Sequence, residues 1–105
     1  MATRYVAAAT TGDVAPGEVF LADVDGVQIA ICNVDGTLYA IEDACTHDGS
    51  SFDMAFVDGR ELTCPRHGAV FDVITGEALE APAFSPVRTY PVRVRGNTIE
   101  IAVDE

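Results

Sequence analysis

A chain of 105 residues with a formal net charge of −11, six arginines and no lysine can bury one core, and it repels polyanions, which speaks against nucleic acid and anionic membrane as partners. No stretch approaches the roughly 18 apolar residues that cross a bilayer, and the opening MATRYVAAAT lacks the apolar core of a secretory leader. The expectation is one cytoplasmic domain over 1–105, monomeric when free and drawn to basic surfaces on other proteins.

In chain order, residues 12–18 (GDVAPGE) read as a loop punctuated by Pro16 and Gly17. Three β-rich runs follow: Glu18–Val24, Val27–Val34 and Thr37–Asp43, separated by Asp25-Gly26 and Asp35-Gly36. Such dipeptides supply the positive φ angles of tight hairpins. Asp58-Gly59 and Gly96-Asn97 mark two further turns. Residues 80–87 (EAPAFSPV) carry Pro82 and Pro86 and cannot be a central strand. Residues 90–103 read as a hairpin, with Val92, Val94, Ile99, Ile101 and Val103 at period two. No helix of useful length is expected. The fold class is all-β: an antiparallel sandwich or barrel base from residues 1–43 and 73–105, with a loop-rich insertion over about 44–72.

That insertion holds both histidines and two of the three cysteines. Cys45-Thr46-His47 is followed by sixteen residues and then Cys64-Pro65-Arg66-His67. An odd cysteine count argues against a complete disulfide framework. Cys32, on a predicted strand, reads as a buried core thiol. Gly49 and Gly68 let backbone approach a site without a Cβ in the way, and Pro65 stiffens the second loop. Two metal readings fit the four donors. One is a structural zinc with two thiolates and two imidazoles. The other is a [2Fe-2S] cluster with two cysteines on one iron and two histidines on the other. Each pair here is Cys then His, an order that suits two loops lending one ligand to each iron.

The stretch resembles the Rieske iron–sulfur motif, through CTH, CPRHGAVFD and TGEAL, with APAFSPV…YPVRV similar to that family's proline loop and closing strand. The resemblance implies the Rieske fold and a [2Fe-2S] cluster, with Cys45 and Cys64 on one iron and His47 and His67, solvent-facing, on the other. Members from respiratory complexes carry a bridging cysteine in each loop; Ser50 and Arg66 occupy those positions here. High-potential members place a serine and a tyrosine hydroxyl near the cluster, where this chain has Ala69 and Phe71. A low potential is therefore expected.

The size is similar to the ferredoxin components of bacterial aromatic-ring-hydroxylating dioxygenase systems. The implied role is a one-electron carrier without catalytic residues of its own, between a flavin-containing (FAD) NAD(P)H-dependent ferredoxin reductase and a terminal oxygenase. A small subunit of a nitrite reductase-like enzyme and a zinc-stabilised interaction module are the alternatives. Phe52, Met54 and Phe56 are expected to pack the spacer onto the cluster loops. Pro82, Phe84 and Pro86 are expected to form a lid, and Arg66 to soften the local field. Asp48, Asp53 and Asp58 read as docking charges or as solvated loop residues.

Overall fold

The computed structural model describes residues 4–46, 49–65, 68–81 and 83–103. Two short hairpins build its middle. Strands β2 (Val19–Val24), β3 (Val27–Val34) and β4 (Thr37–Glu42) form a meander. Its turns place both central residues at positive φ, +57° and +85° at Asp25-Gly26 and +51° and +95° at Asp35-Gly36. That is the backbone twist a two-residue hairpin needs. Asp23 Oδ1 accepts the Gly26 N–H at 2.8 Å and Asn33 Oδ1 the Gly36 N–H at 2.7 Å. β9 (Thr89–Tyr90) completes this sheet beside β4.

A second sheet, in the order β1-β11-β10, joins Tyr5–Thr10, Thr98–Ala102 and Val92–Arg95. β1 leads into a single 3-10 turn, Thr11–Asp13. A third sheet, β5-β6-β7-β8, is made of three-residue strands: Phe56–Asp58, Glu61–Thr63, Val70–Asp72 and Ala78–Glu80. The expected loop-rich stretch thus carries a sheet of its own, which continues past residue 72 to Glu80.

β3 is buried along both faces. Ile29 and Ile31 join Val14, Val24, Ala40, Ile99 and Ile101 in one core, between the first two sheets. Ala30 and Cys32 join Ile41, Phe52, Leu62, Phe71, Cys45 and Cys64 in the other, towards the third sheet. The loop before β2 links the central and third sheets: Gly17 N–H donates to Asn33 O (2.9 Å), and Val57 N–H donates to Gly17 O (3.1 Å). The buried Asn33 also donates to Val14 O at 2.8 Å, so its amide is satisfied at that junction.

Candidate metal centre

Each cysteine of the paired motif opens a loop that is closed by the same two backbone bonds. Gly49 N–H donates to Cys45 O (2.6 Å) and Cys45 N–H to Ser50 O (2.7 Å). Gly68 N–H donates to Cys64 O (2.9 Å) and Cys64 N–H to Ala69 O (2.8 Å). Both glycines have φ +78°, a left-handed conformation that costs a Cβ-bearing residue strain. The two closures match although the histidine spacing differs, because glycine stands four residues after cysteine in both. Both cysteines are buried at 2% exposure within one core, and none of the three cysteines forms a disulfide. His47 and His67, with Asp48, Arg66 and Pro82, lie outside the described residues.

The floor beneath the loops is apolar. Phe52 and Phe71 meet edge to face, ring centres 5.6 Å apart at 73°, and burying each ring is worth about 2–3 kcal/mol. Ala69 and Phe71 are fully buried and carry no hydroxyl. Cys32 shares this core. Its burial pushes the thiol pKa up to about 12, so it stays protonated, as a structural thiol does. Two carboxylates brace the loops from behind. Asp43 accepts from Phe52 N–H (2.7 Å) and the Ser51 hydroxyl (2.9 Å). Asp72 accepts from Ile74 N–H (2.8 Å), Thr75 N–H (3.2 Å) and Arg60 Nε (2.8 Å). Burial alone would raise the Asp72 pKa, but these donors outweigh it and hold the carboxyl below its usual value.

Residues 83–88 close the first loop from the side. Ala83 and Val87 are buried in the same core as Cys45 and Cys64. Val87 N–H donates to Gly76 O (2.8 Å), and the Thr46 hydroxyl donates to Ser85 O (2.6 Å). Four side chains depart from the sequence expectations. Phe52 packs on the site as expected, but Met54 is 81% exposed and Phe56 50%. The turn closed by Ala55 N–H to Phe52 O sets Met54 at φ +71° and breaks the alternation. In the proline segment Ala83 and Val87 are the residues that pack inwards, whereas Phe84 is 86% exposed and Pro86 is exposed. Asp53 and Asp58 are exposed. No local pattern marks Asp43, Thr46, Asp72 and Gly76 as site residues; for the first three the only signal is a polar residue beside a motif word.

The model of the Rieske [2Fe-2S] domain family matches residues 4–91. The chain belongs to this family. A Rieske domain carries a [2Fe-2S] cluster, and the residues present fit one: two buried thiols, on two loops of equal closure, over a floor free of competing charge. This Rieske chain is 36% identical over 101 residues to the ferredoxin component of the naphthalene 1,2-dioxygenase system of Pseudomonas aeruginosa, covering 96% of this chain and 97% of that one. Its fold matches the ferredoxin of carbazole 1,9a-dioxygenase from Nocardioides aromaticivorans IC177 with a TM-score of 0.89 and 34% identity, over 97% and 100% of the two chains. It also matches a chain in a complex of reduced oxygenase and oxidised ferredoxin in carbazole 1,9a-dioxygenase, with a TM-score of 0.86 and 28% identity, over 96% and 94%. Among the described residues no helix is long and apolar enough to cross a membrane.

Proposed function

We propose that this Rieske protein is the ferredoxin component of an aromatic-ring-hydroxylating dioxygenase system, an electron carrier and not a catalyst. It takes electrons one at a time from a flavin-containing NAD(P)H-dependent reductase and hands them to a terminal oxygenase in the cytoplasm. The observation that carries this reading is the pair of equivalent loops presenting two buried cysteines, in a chain that aligns along nearly its whole length with ferredoxin components.

Cys45 and Cys64 are the thiolate ligands of one iron, and His47 and His67 the imidazole ligands of the other. The bound cluster supplies one-electron chemistry. The chain supplies the rest. Phe52, Leu62, Ala69 and Phe71 exclude water from the thiolate side. Backbone bonds at the two loop closures fix the main chain of Cys45 and Cys64 where it enters the site. Ala69 and Phe71 offer no hydroxyl to sulfur, and donors of that kind raise the potential by stabilising the more negative state. The potential therefore sits near the low end of the Rieske range, about −150 mV. The acidic surface, including exposed Asp53 and Asp58, suits partners with basic docking faces.

The test uses the purified holoprotein with a ferredoxin-dependent aromatic dioxygenase and its reductase. Two irons and two sulfides per chain, a rhombic paramagnetic signal on reduction, and oxygenase turnover that requires the carrier are expected. Cys64→Ser should lose the visible spectrum and the turnover together. A colourless zinc protein, or turnover independent of the carrier, refutes the proposal.

A further inference from the structure

Asp-Gly occurs four times in the chain, at residues 25–26, 35–36, 48–49 and 58–59. The glycine nitrogen has no neighbouring Cβ to hinder it, so it can turn onto the carboxyl carbon of the preceding aspartate. Whether it does depends on how firmly the structure holds its N–H. Gly26 N–H donates to Asp23 Oδ1 (2.8 Å), Gly36 N–H to Asn33 Oδ1 (2.7 Å) and Gly49 N–H to Cys45 O (2.6 Å). Asp48 itself lies outside the described residues. The Gly59 N–H meets no acceptor among the described residues. Asp58 and Gly59 are both exposed, and a Cβ built on Gly59 would have no atom within 4 Å. They end β5, a three-residue strand at the edge of its sheet, the kind of segment that opens locally at little cost. The chain is tied down again only at Arg60, whose carbonyl accepts the Val73 N–H (3.0 Å) and whose Nε donates to Asp72 (2.8 Å).

We propose that Asp58 is a modification site, where the chain ages by spontaneous conversion of aspartate to isoaspartate. The Gly59 nitrogen bonds to Asp58 Cγ, and its proton leaves with the carboxyl hydroxyl as water. Water then opens the cyclic imide. Addition at Cγ restores aspartate. Addition at the former main-chain carbonyl leaves the chain running through Cβ, one atom longer, with a free carboxyl beside it. No oxidant or further reactant takes part. The lengthened link cannot keep Asp58 and Glu61 paired in register. The next pair inward is Val57 with Leu62, and both side chains are buried in the core that holds Cys45 and Cys64. Damage at an exposed turn is thus passed to the packing beneath the cysteines.

The test incubates holoprotein in water enriched in oxygen-18, which marks each opened imide, and peptide fragmentation assigns the label to a residue. Label at Asp58 should accumulate about fivefold faster than at Asp25 or Asp35, the weight of one neutral hydrogen bond. Asp23→Ala frees the Gly26 N–H and should quicken labelling at Asp25 by a similar factor. Asp58→Glu, which would have to close a larger ring, should remove the label at that position. The isoaspartate form, separated by chromatography, should lose its cluster to a chelator faster than the unaged form from the same sample. The proposal is overturned if label spreads evenly over Asp25, Asp35 and Asp58, if it is absent from all three, or if D23A labels Asp25 no faster than the parent does. Should D23A fail to fold, the ranking within the parent decides. Equal bleaching of aged and unaged forms overturns the link to the cysteine core. The mass readings hold with or without iron, so their failure is distinct from failure of the iron–sulfur reading, on which only the bleaching comparison rests.

Discussion

Gly76→Ala tests the packing behind the second loop. Gly76 has φ +83°, and a Cβ built there would lie 2.3 Å from Val87 O and 3.1 Å from Thr89 Cγ2. The left-handed conformation alone costs an alanine about 1–2 kcal/mol. The contact with Val87 O involves backbone, so the 83–88 segment has to move. That displaces the 2.8 Å bond from Val87 N–H to Gly76 O, worth about 1 kcal/mol. It also draws Val87, 4% exposed, part of the way out of the core, at roughly another 1 kcal/mol. Gly36→Ala is the control, with φ +95° and no atom within 4 Å of its Cβ. It carries the conformational cost without the collision. The difference between the variants is thus about 2 kcal/mol, or roughly 8–16 °C in apparent midpoint for a domain near this size. Because cluster loss makes unfolding irreversible, both variants are heated at one scan rate with equal iron content, followed by circular dichroism and by visible absorbance. If G76A melts together with G36A, the close approach of Gly76 and Val87 does not exist in the protein.

Two further substitutions probe the site from other sides. Ala69→Ser places a hydroxyl in the loop that Cys64 heads and should raise the midpoint potential, read by optical redox titration; an unchanged potential contradicts the account of Ala69 as a cause of low potential. Asp72→Asn removes a carboxylate whose folded pKa lies below its usual value. Its stabilisation is present above the unfolded pKa, about 3.9, and is lost as pH falls through the lower folded value. The stability gap between parent and D72N should be full at pH 7 and shrink below about pH 4, by denaturant unfolding; a gap that widens as pH falls reverses the sign and refutes it.

What could be read from the sequence depended on how far a feature reached along the chain. The β2–β3–β4 meander was legible because Asp25-Gly26 and Asp35-Gly36 announce their turns locally. β1 was not: YVAAAT runs through three alanines with no alternation to read, and it becomes a strand by pairing with β11 almost a hundred residues later. The third sheet escaped because its strands are three residues long, too short for period two to show. Its first turn lies one residue later than the Asp58-Gly59 pair suggests. Asp58 pairs with Glu61 across Gly59-Arg60, and only Gly59 there has positive φ. At the candidate site, Cys45 and Cys64 were visible as motif residues. The unequal Cys-to-His spacings obscure the equivalence of the two closures, although Cys-x-x-x-Gly occurs at both. Thr46, Asp72 and Gly76 act through partners distant in sequence or through backbone, which no local pattern displays.

The double-sided burial of β3 separates neighbouring residues by task. Ile31 faces the half of the molecule furthest from the cysteines, and Ala30 and Cys32, on either side of it, face the half that contains them. The strand works as a partition wall. An engineer could repack Ile29, Ile31, Ile99 and Ile101 for heat tolerance while leaving the electronic environment of the carrier almost untouched, whereas a single methyl added at Ala30 would press on the redox side at once.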